Sequence, residues 1–293
     1  MFVRRSGQIA GRERTPRLGA GSLGEVHPVE RLRSVSRWAV DDDALAAEAA
    51  EALAAFSFDP AGLVVSCRRL LAHHVGNGPL WWVCSRVLAA PDPAEACREV
   101  IARLDSDRTS DRLAASLPLQ SRDDEVVAVV GWPRAVDRAL AERGDLAAVA
   151  VRSDVGDLTA VLRRRVAPQS VRLVDAWMLP ELAVSHLLVG AAAIGDGRAL
   201  VPAGTREAID IARPEAGTWL IGGIGRVLPR RLFEAAEAGA LAPAAYGDAD
   251  DAGMESVSLE LFDRVAGSRG LVPSAEADAH PDAPVAPELL RPL

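Results

Sequence analysis

The chain contains no lysine, so all 33 of its basic residues are arginine. Without that amine, a Schiff-base mechanism and a Walker-type phosphate loop are both excluded. Any charged anion site must then use arginine, whose planar fork meets phosphate or carboxylate bidentately. Cysteine is scarce: Cys67, Cys84 and Cys97 have no close metal-ligand spacing and cannot all pair within one chain, so they read as reduced, structural residues. Asparagine occurs once, as Asn77. No apolar run approaches the roughly 20 residues that span a bilayer, and the arginine-rich start lacks an apolar signal region. A soluble, cytoplasmic protein with no membrane partner is expected. The net charge of −8 argues against nucleic acid as a partner, since a basic face is what phosphate backbones require.

What is present is a half-apolar chain long enough to bury a large core as one large or two small domains. Residues 1–28 mix Gly, Arg, Ser and Pro without periodicity and read as a flexible leader. The segment 273–293, rich in Ala, Pro and Asp, reads as a flexible tail. Residues 29–118 are patterned as helices: Asp41–Ala55 with an acidic start, Pro60–His73, Pro79–Leu88 and Pro93–Leu104, the last with proline near its first position. From 119 to 272 the texture changes. Short apolar runs such as Glu125–Val130, Ala147–Arg152, Ser170–Val174, His186–Val189 and Thr218–Ile221 alternate with helical segments such as Pro133–Arg143, Gly156–Arg164, Thr205–Ile211 and Pro229–Glu237. Interleaving of this kind implies βαβ units and a mostly parallel sheet, an α/β domain behind a small helical one.

Two apolar runs end in small residues: one in Gly190-Ala191-Ala192-Ala193, the other in Gly222-Gly223-Ile224-Gly225-Arg226. In open parallel sheets ligands sit beyond the carboxyl ends of the strands, and small residues there admit a ligand to the backbone. The second loop is not the dinucleotide fingerprint, because its third glycine and the following acidic residue are missing. Its amides and Arg226 nonetheless make Gly223, Gly225 and Arg226 candidate anion ligands; the same glycines also suit a plain tight turn. Gly76-Asn77-Gly78-Pro79 feeds a helix start. Its amides, at Asn77 and Gly78, could cradle an anion, or Asn77 could simply supply a left-handed turn conformation. The adjacent His73 and His74 cannot both face one side of a helix, so no metal site is expected.

The run Leu188-Val189-Gly190-Ala191-Ala192-Ala193-Ile194, then Gly197, then Ala203-Gly204-Thr205, resembles the L-V-G-A-D-A-I, G, N-K-x-G-T signature of a known superfamily. Its members are aldose-ketose isomerases acting on methylthioribose 1-phosphate and ribose 1,5-bisphosphate, and the regulatory alpha, beta and delta subunits of the guanine-nucleotide exchange factor for translation initiation factor two. The resemblance spans about residues 30–270 and is most specific between 184 and 229. It implies a Rossmann-like, CoA-transferase-like sheet preceded by a helical domain, no cofactor, and a homodimer.

The resemblance also assigns roles by position. Val127-Ala128-Val129-Val130-Gly131 stands where the isomerases have a strand ending in the catalytic cysteine, and Ala192 stands where they have the catalytic aspartate. Neither residue here can move a proton, so the proton-handling side chains of that chemistry are absent. Arg134, at the start of the next helix, is the nearest ionisable group. Arg37 occupies the place of a phosphate-binding turn, and also reads as an ordinary surface arginine before a helix. Asp175 matches a strand end that could bond a sugar hydroxyl or a helix N-terminus. Gly190, Gly204 and Thr205 complete the candidate substrate-binding set, and no catalytic residue is assigned. What the resemblance implies is a catalytically degenerate protein binding a phosphorylated sugar, a nucleotide or a protein partner. The alternatives are an isomerase with altered chemistry using Asp175, Asp196 or Arg226, and a structural homodimer. The aromatic residues Trp81, Trp82, Trp132, Trp177 and Trp219 read as core or dimer contacts.

Overall fold

Asp59, Asn77 and Asp92 each stand one or two residues before a proline, and each caps a helix. Their side-chain oxygens accept from the amides of Gly62, Leu80 and Glu95 at 2.9, 2.9 and 3.1 Å. Such a cap satisfies one of the donors that a helix start leaves unpaired, while proline costs nothing in the first turn. The computed structural model describes residues 42–118, 125–153, 162, 171–242 and 253–290. Helix α1 is Asp42–Ala54, α2 Pro60–His73, α3 Gly78–Ala89 and α4 Pro93–Asp105. A fifth helix, α5 (Thr109–Ser116), is only 8 residues long and has no side-chain cap, so it left no sequence signal.

The α/β part alternates as expected. Strand β1 is Glu125–Val130, α6 Arg134–Glu142, β2 Ala147–Val151, β3 Arg172–Val174 and β4 Ala183–Gly190. A hairpin of β5 (Ala193–Gly195) and β6 (Arg198–Pro202) follows, then α7 (Thr205–Ala212), β7 (Gly217–Gly222), α8 (Arg230–Ala240), β8 (Met254–Ser258), β9 (Arg264–Gly267) and β10 (Gly270–Pro273). The expected helix over Gly156–Arg164 lies outside the described residues except at Leu162. Seven strands form one sheet in the order β10-β9-β7-β4-β1-β2-β3, parallel except for β10; β5, β6 and β8 form a small antiparallel sheet. The mostly parallel α/β architecture behind a helical domain is thus as the sequence implies.

Period-2 alternation divides the sheet between two apolar layers. Val127 and Val129 of β1 pack with α5 and α6, whereas Ala128 and Val130 pack on the opposite face with α7 and the small sheet. The helical domain builds a third core around Leu53, Leu80 and Trp82, and α8 joins it through Leu232 and Phe233. Cys67, Cys84 and Cys97 are free and buried there. A hydrogen bond with Cys84 together with burial pushes the Cys67 thiol up, and burial raises Cys97 to about 11, so both stay protonated and inert. Trp81, Trp82, Trp132 and Trp219 are buried; Trp177 is 63% exposed. None of the described helices is long and apolar enough to cross a membrane.

The expectation of a flexible tail from 273 needs correction over the described part, residues 274–290. Ala283, Ala286 and Leu289 are buried in the helical core, and Ser85 donates to the Pro284 carbonyl and accepts from the Ala286 amide. Alanine and proline read as tail composition, yet alanine fits where the chain lies flat on a helix.

Candidate functional site

Strand order reverses between β1 and β4: the chain steps outward from β1 to β2 and β3, then returns to the other side of β1 with β4 and β7. Loops leaving the carboxyl ends at such a reversal diverge, which opens a crevice where ligands bind in doubly wound sheets. Gly131 (φ 79°) and Trp132 (φ 43°) carry the chain out of β1 in left-handed conformations. The turn is tight. A Cβ on Gly131 would lie 2.8 Å from Pro202 Cγ, and one on Gly190 would lie 3.2 Å from Pro133, so residues 131–133, 190 and 202 meet at one point. Trp132 is buried and donates from Nε1 to Asp137 Oδ1 at 3.3 Å. Ala191 and Ala192 leave β4 with their amides donating to Ile221 O and Leu200 O at 2.9 Å each. No ionisable side chain stands at Gly131, Trp132, Ala191 or Ala192.

Beside this point lies a cleft of about 160 Å³ between the helical domain and α6. Asp43, Ala44 and Ala47 of α1 line it together with Asp105 at the end of α4, Asp107 in the α4–α5 turn, Thr109 and Ser110 at the start of α5, and Arg134, Ala135 and Arg138 of α6. The lining thus brings two arginines together with carboxylates and hydroxyls around a space that fits a small polar molecule. Of the sequence candidates, Arg134 is the one that lines this cleft.

The Gly222–Arg226 loop after β7 approaches the same region, but its groups are turned inward. Arg226 is buried; Nε donates to Ala191 O at 2.9 Å, Nη1 to Asp43 Oδ1 at 2.8 Å and Nη2 to Asp42 Oδ2 at 3.5 Å. Burial opposes its charge, and the charges of Asp43, Asp42 and Asp107 more than offset that, holding its pKa above the ordinary arginine value. The expectation that Arg226 meets an external anion is therefore corrected: its charge is already matched within the chain. Asp107 accepts from the Ile224 amide at 3.3 Å, and Asp282 accepts from the amides of Gly225 and Val227 at 3.0 and 3.3 Å. A Cβ on Gly223 would lie 3.1 Å from both Arg226 Nη1 and Asp107 Oδ2.

The other candidates separate. Asn77 is buried at φ −82°, so it is no left-handed turn; besides capping α3 it donates from Nδ2 to Asp42 Oδ1 at 2.8 Å. The Gly78 amide donates to Ala192 O at 3.0 Å, and a Cβ there would lie 2.4 Å from that oxygen. This turn docks the helical domain onto the end of β4 and offers no free anion cradle at Gly78. Asp175 follows β3 at the sheet edge and pairs with Arg152 at 2.8 Å; it forms no side-chain cap, which corrects the helix-capping role expected of it. Gly204 (φ 87°) is the residue before α7, where Thr205 Oγ1 donates to Pro202 O at 2.5 Å. Arg37 lies outside the described residues. Among the described residues no cluster of His, Cys, Asp and Glu could hold a metal.

No family model and no curated protein matches this chain. Solved structures do, at low identity. The Pyrococcus horikoshii OT3 translation initiation factor eIF-2B aligns with a TM-score of 0.65 at 14% identity over 84% of this chain and 96% of that one. The chain has the eIF2B fold. A tetrameric eIF2B-beta2-delta2 complex from C. thermophilum gives a TM-score of 0.58 at 14% identity, covering 86% of this chain and 92% of that one. The 5-methylthioribose 1-phosphate isomerase of Pyrococcus horikoshii OT3 gives 0.54 at 14% identity, with 84% of each chain covered. Fold is what identities of this size establish, and at that level the resemblance read from residues 184–229 holds. In an eIF2B-like fold, the strand-order reversal places the Arg134 cleft against the helical domain, and Gly131 and Ala192 at the strand ends.

Proposed function

We propose that this chain is a catalytically degenerate protein of the eIF2B–isomerase fold, which binds a phosphorylated small molecule in the Arg134 cleft without isomerising it. The observation that carries the reading is the pairing of an open, polar cleft with strand ends that hold no proton-transfer group. Aldose-ketose isomerisation moves a proton or hydride between adjacent carbons, and it needs an acid or base within about 3 Å of the reacting atoms. Gly131 and Ala192 cannot serve. Binding is a lesser demand. Arg134 and Arg138 suit a phosphoryl group, and Asp43, Asp105, Thr109 and Ser110 suit hydroxyls. A sugar phosphate and a nucleoside monophosphate both have that combination.

Self-association belongs to the same reading, supported by the likeness to subunits of a tetrameric complex and by the exposed Trp177. The binding claim is tested by thermal shift against ribose 1,5-bisphosphate, methylthioribose 1-phosphate and nucleoside monophosphates. A ligand at about 100 times its dissociation constant stabilises the native state by about 2.7 kcal/mol. The shift should vanish in Arg134→Ala. A flat response across the panel would contradict the reading and favour a structural homodimer.

A further inference from the structure

The lining of the Arg134 cleft carries charge of both signs, and helix ends reinforce each sign. Arg134 and Arg138 stand one turn apart on the same face of α6, and both line the cleft. Like charges at that spacing repel, which a bound anion relieves. The same helix starts at Arg134 without a side-chain cap, so the positive end of its dipole adds to the two guanidinium groups. The negative part of the lining is the end of α4, where Leu104 and Asp105 reach the cleft. A carboxylate there adds to the negative end of a helix dipole, a place that suits a cation. Arg103, the basic residue of that last turn, lies over the Trp82 ring at 5.5 Å instead. The two other lining carboxylates are engaged within the chain: Asp43 accepts from Arg226 at 2.8 Å, and Asp107 accepts from Thr109 N and Oγ1 at 2.9 and 2.7 Å. Among the described residues, Asp105 and Arg138 enter no hydrogen bond or ion pair, with each other or with any other group.

We propose that the ligand of this cleft is a phosphorylated amine, whose phosphoryl group meets Arg134 and Arg138 and whose ammonium meets Asp105. The inference rests on the cleft being a phosphoryl site and names the class of ligand within it. Charge decides the class. Three carboxylates and two guanidinium groups line the cleft, so a phosphate dianion alone enters a space with no surplus positive charge. An ammonium on the same molecule reduces the negative charge brought in. It also gives Asp105 a charge-assisted bond, roughly twice as strong as one between neutral groups. A phosphorylated amino sugar and a short phosphorylated alkylamine share this chemistry.

The test is calorimetric titration of the full chain at neutral pH with two pairs of probes. One pair is 2-aminoethyl phosphate and 2-hydroxyethyl phosphate; the other is glucosamine 6-phosphate and glucose 6-phosphate. Within each pair an amine replaces a hydroxyl and nothing else changes. The amine should bind about tenfold more tightly in at least one pair, and the pair that shows it distinguishes alkylamine from amino sugar. Asp105→Asn, at an exposed position, should abolish that preference and leave the hydroxyl partner's affinity unchanged. Equal binding within both pairs, lost in Arg134→Ala, would overturn the phosphorylated-amine assignment and leave the phosphoryl site standing. A preference that survives Asp105→Asn would place the ammonium elsewhere and overturn the assignment as well. No binding by any of the probes would overturn both the assignment and the phosphoryl site.

Discussion

Arg226 Nη1 donates to Asp43 Oδ1 at 2.8 Å, tying the loop after β7 to the first turn of α1. With Asp42 accepting at 3.5 Å and also receiving Asn77 Nδ2, one guanidinium and one amide side chain fasten the helical domain over the sheet. Removing one member of a buried ion pair leaves the other charges uncompensated and costs about 3–5 kcal/mol. Asp42 and Asp43 are partly exposed, so Arg226→Met should fall near the lower end. Urea denaturation checks this. A stability like that of the wild type would mean that the pair contributes nothing to domain docking.

Two glycines with the same left-handed backbone should respond differently to alanine. Gly204 has open space where its Cβ would go, so Gly204→Ala should cost about 1–2 kcal/mol for the left-handed conformation alone. Gly225 adds a collision with Trp82, which is buried and cannot step aside. Overpacking adds about 1–3 kcal/mol, so Gly225→Ala should be clearly the worse of the two in the same melts. Equal losses would show that Trp82 yields.

Asp282 gives a pH signature. Its carboxyl is raised in the folded state, so folding favours the protonated form: the associated stability is present below the unfolded value of about 3.9 and is lost as pH rises through the folded pKa. Asp282→Asn keeps an acceptor for the two amides and removes the titration. The melting temperature of Asp282→Asn minus that of the wild type should therefore grow as pH rises from about 4 towards 7. A difference that stays constant or shrinks would contradict the raised pKa.

The helices and the parallel strands were legible in the sequence because their signals are local. Asp59-Pro60 and Asp92-Pro93 mark helix starts by capping chemistry, and Glu125–Val130 is the observed β1. The small sheet was not read. Its hairpin turn, Asp196 (φ 50°) and Gly197 (φ 72°), is an Asp-Gly pair of the type that favours two-residue hairpins, but the preceding alanines look like the end of a strand rather than the start of another. The pairing of β6 with β8 joins residues more than fifty positions apart, and no local pattern announces it.

The strand ends around the reversal were legible, and the partners of their polar groups were not. Gly190 and Gly223–Arg226 do stand at strand ends near the reversal, as small residues there suggested. What could not be read is that Asp42, Asp43, Asp107 and Asp282 fill the donors of that loop. The first two look like an ordinary acidic helix start, and Asp107 and Asp282 lie in turns distant in sequence. Only Asp107 leaves a local trace, an Asx turn in which it accepts from Thr109 N and Oγ1 at 2.9 and 2.7 Å.

The central claim is binding without isomerisation, and one paired measurement on the same sample reaches it most directly. Ribose 1,5-bisphosphate and methylthioribose 1-phosphate are each titrated calorimetrically, and the mixture is then assayed for ketose product over hours. The expected result is saturable binding of at least one of them, lost in Arg134→Ala, with no product above the rate without protein. Product formed in proportion to protein concentration would contradict it and place a proton-transfer group at the strand ends that Gly131 and Ala192 do not supply.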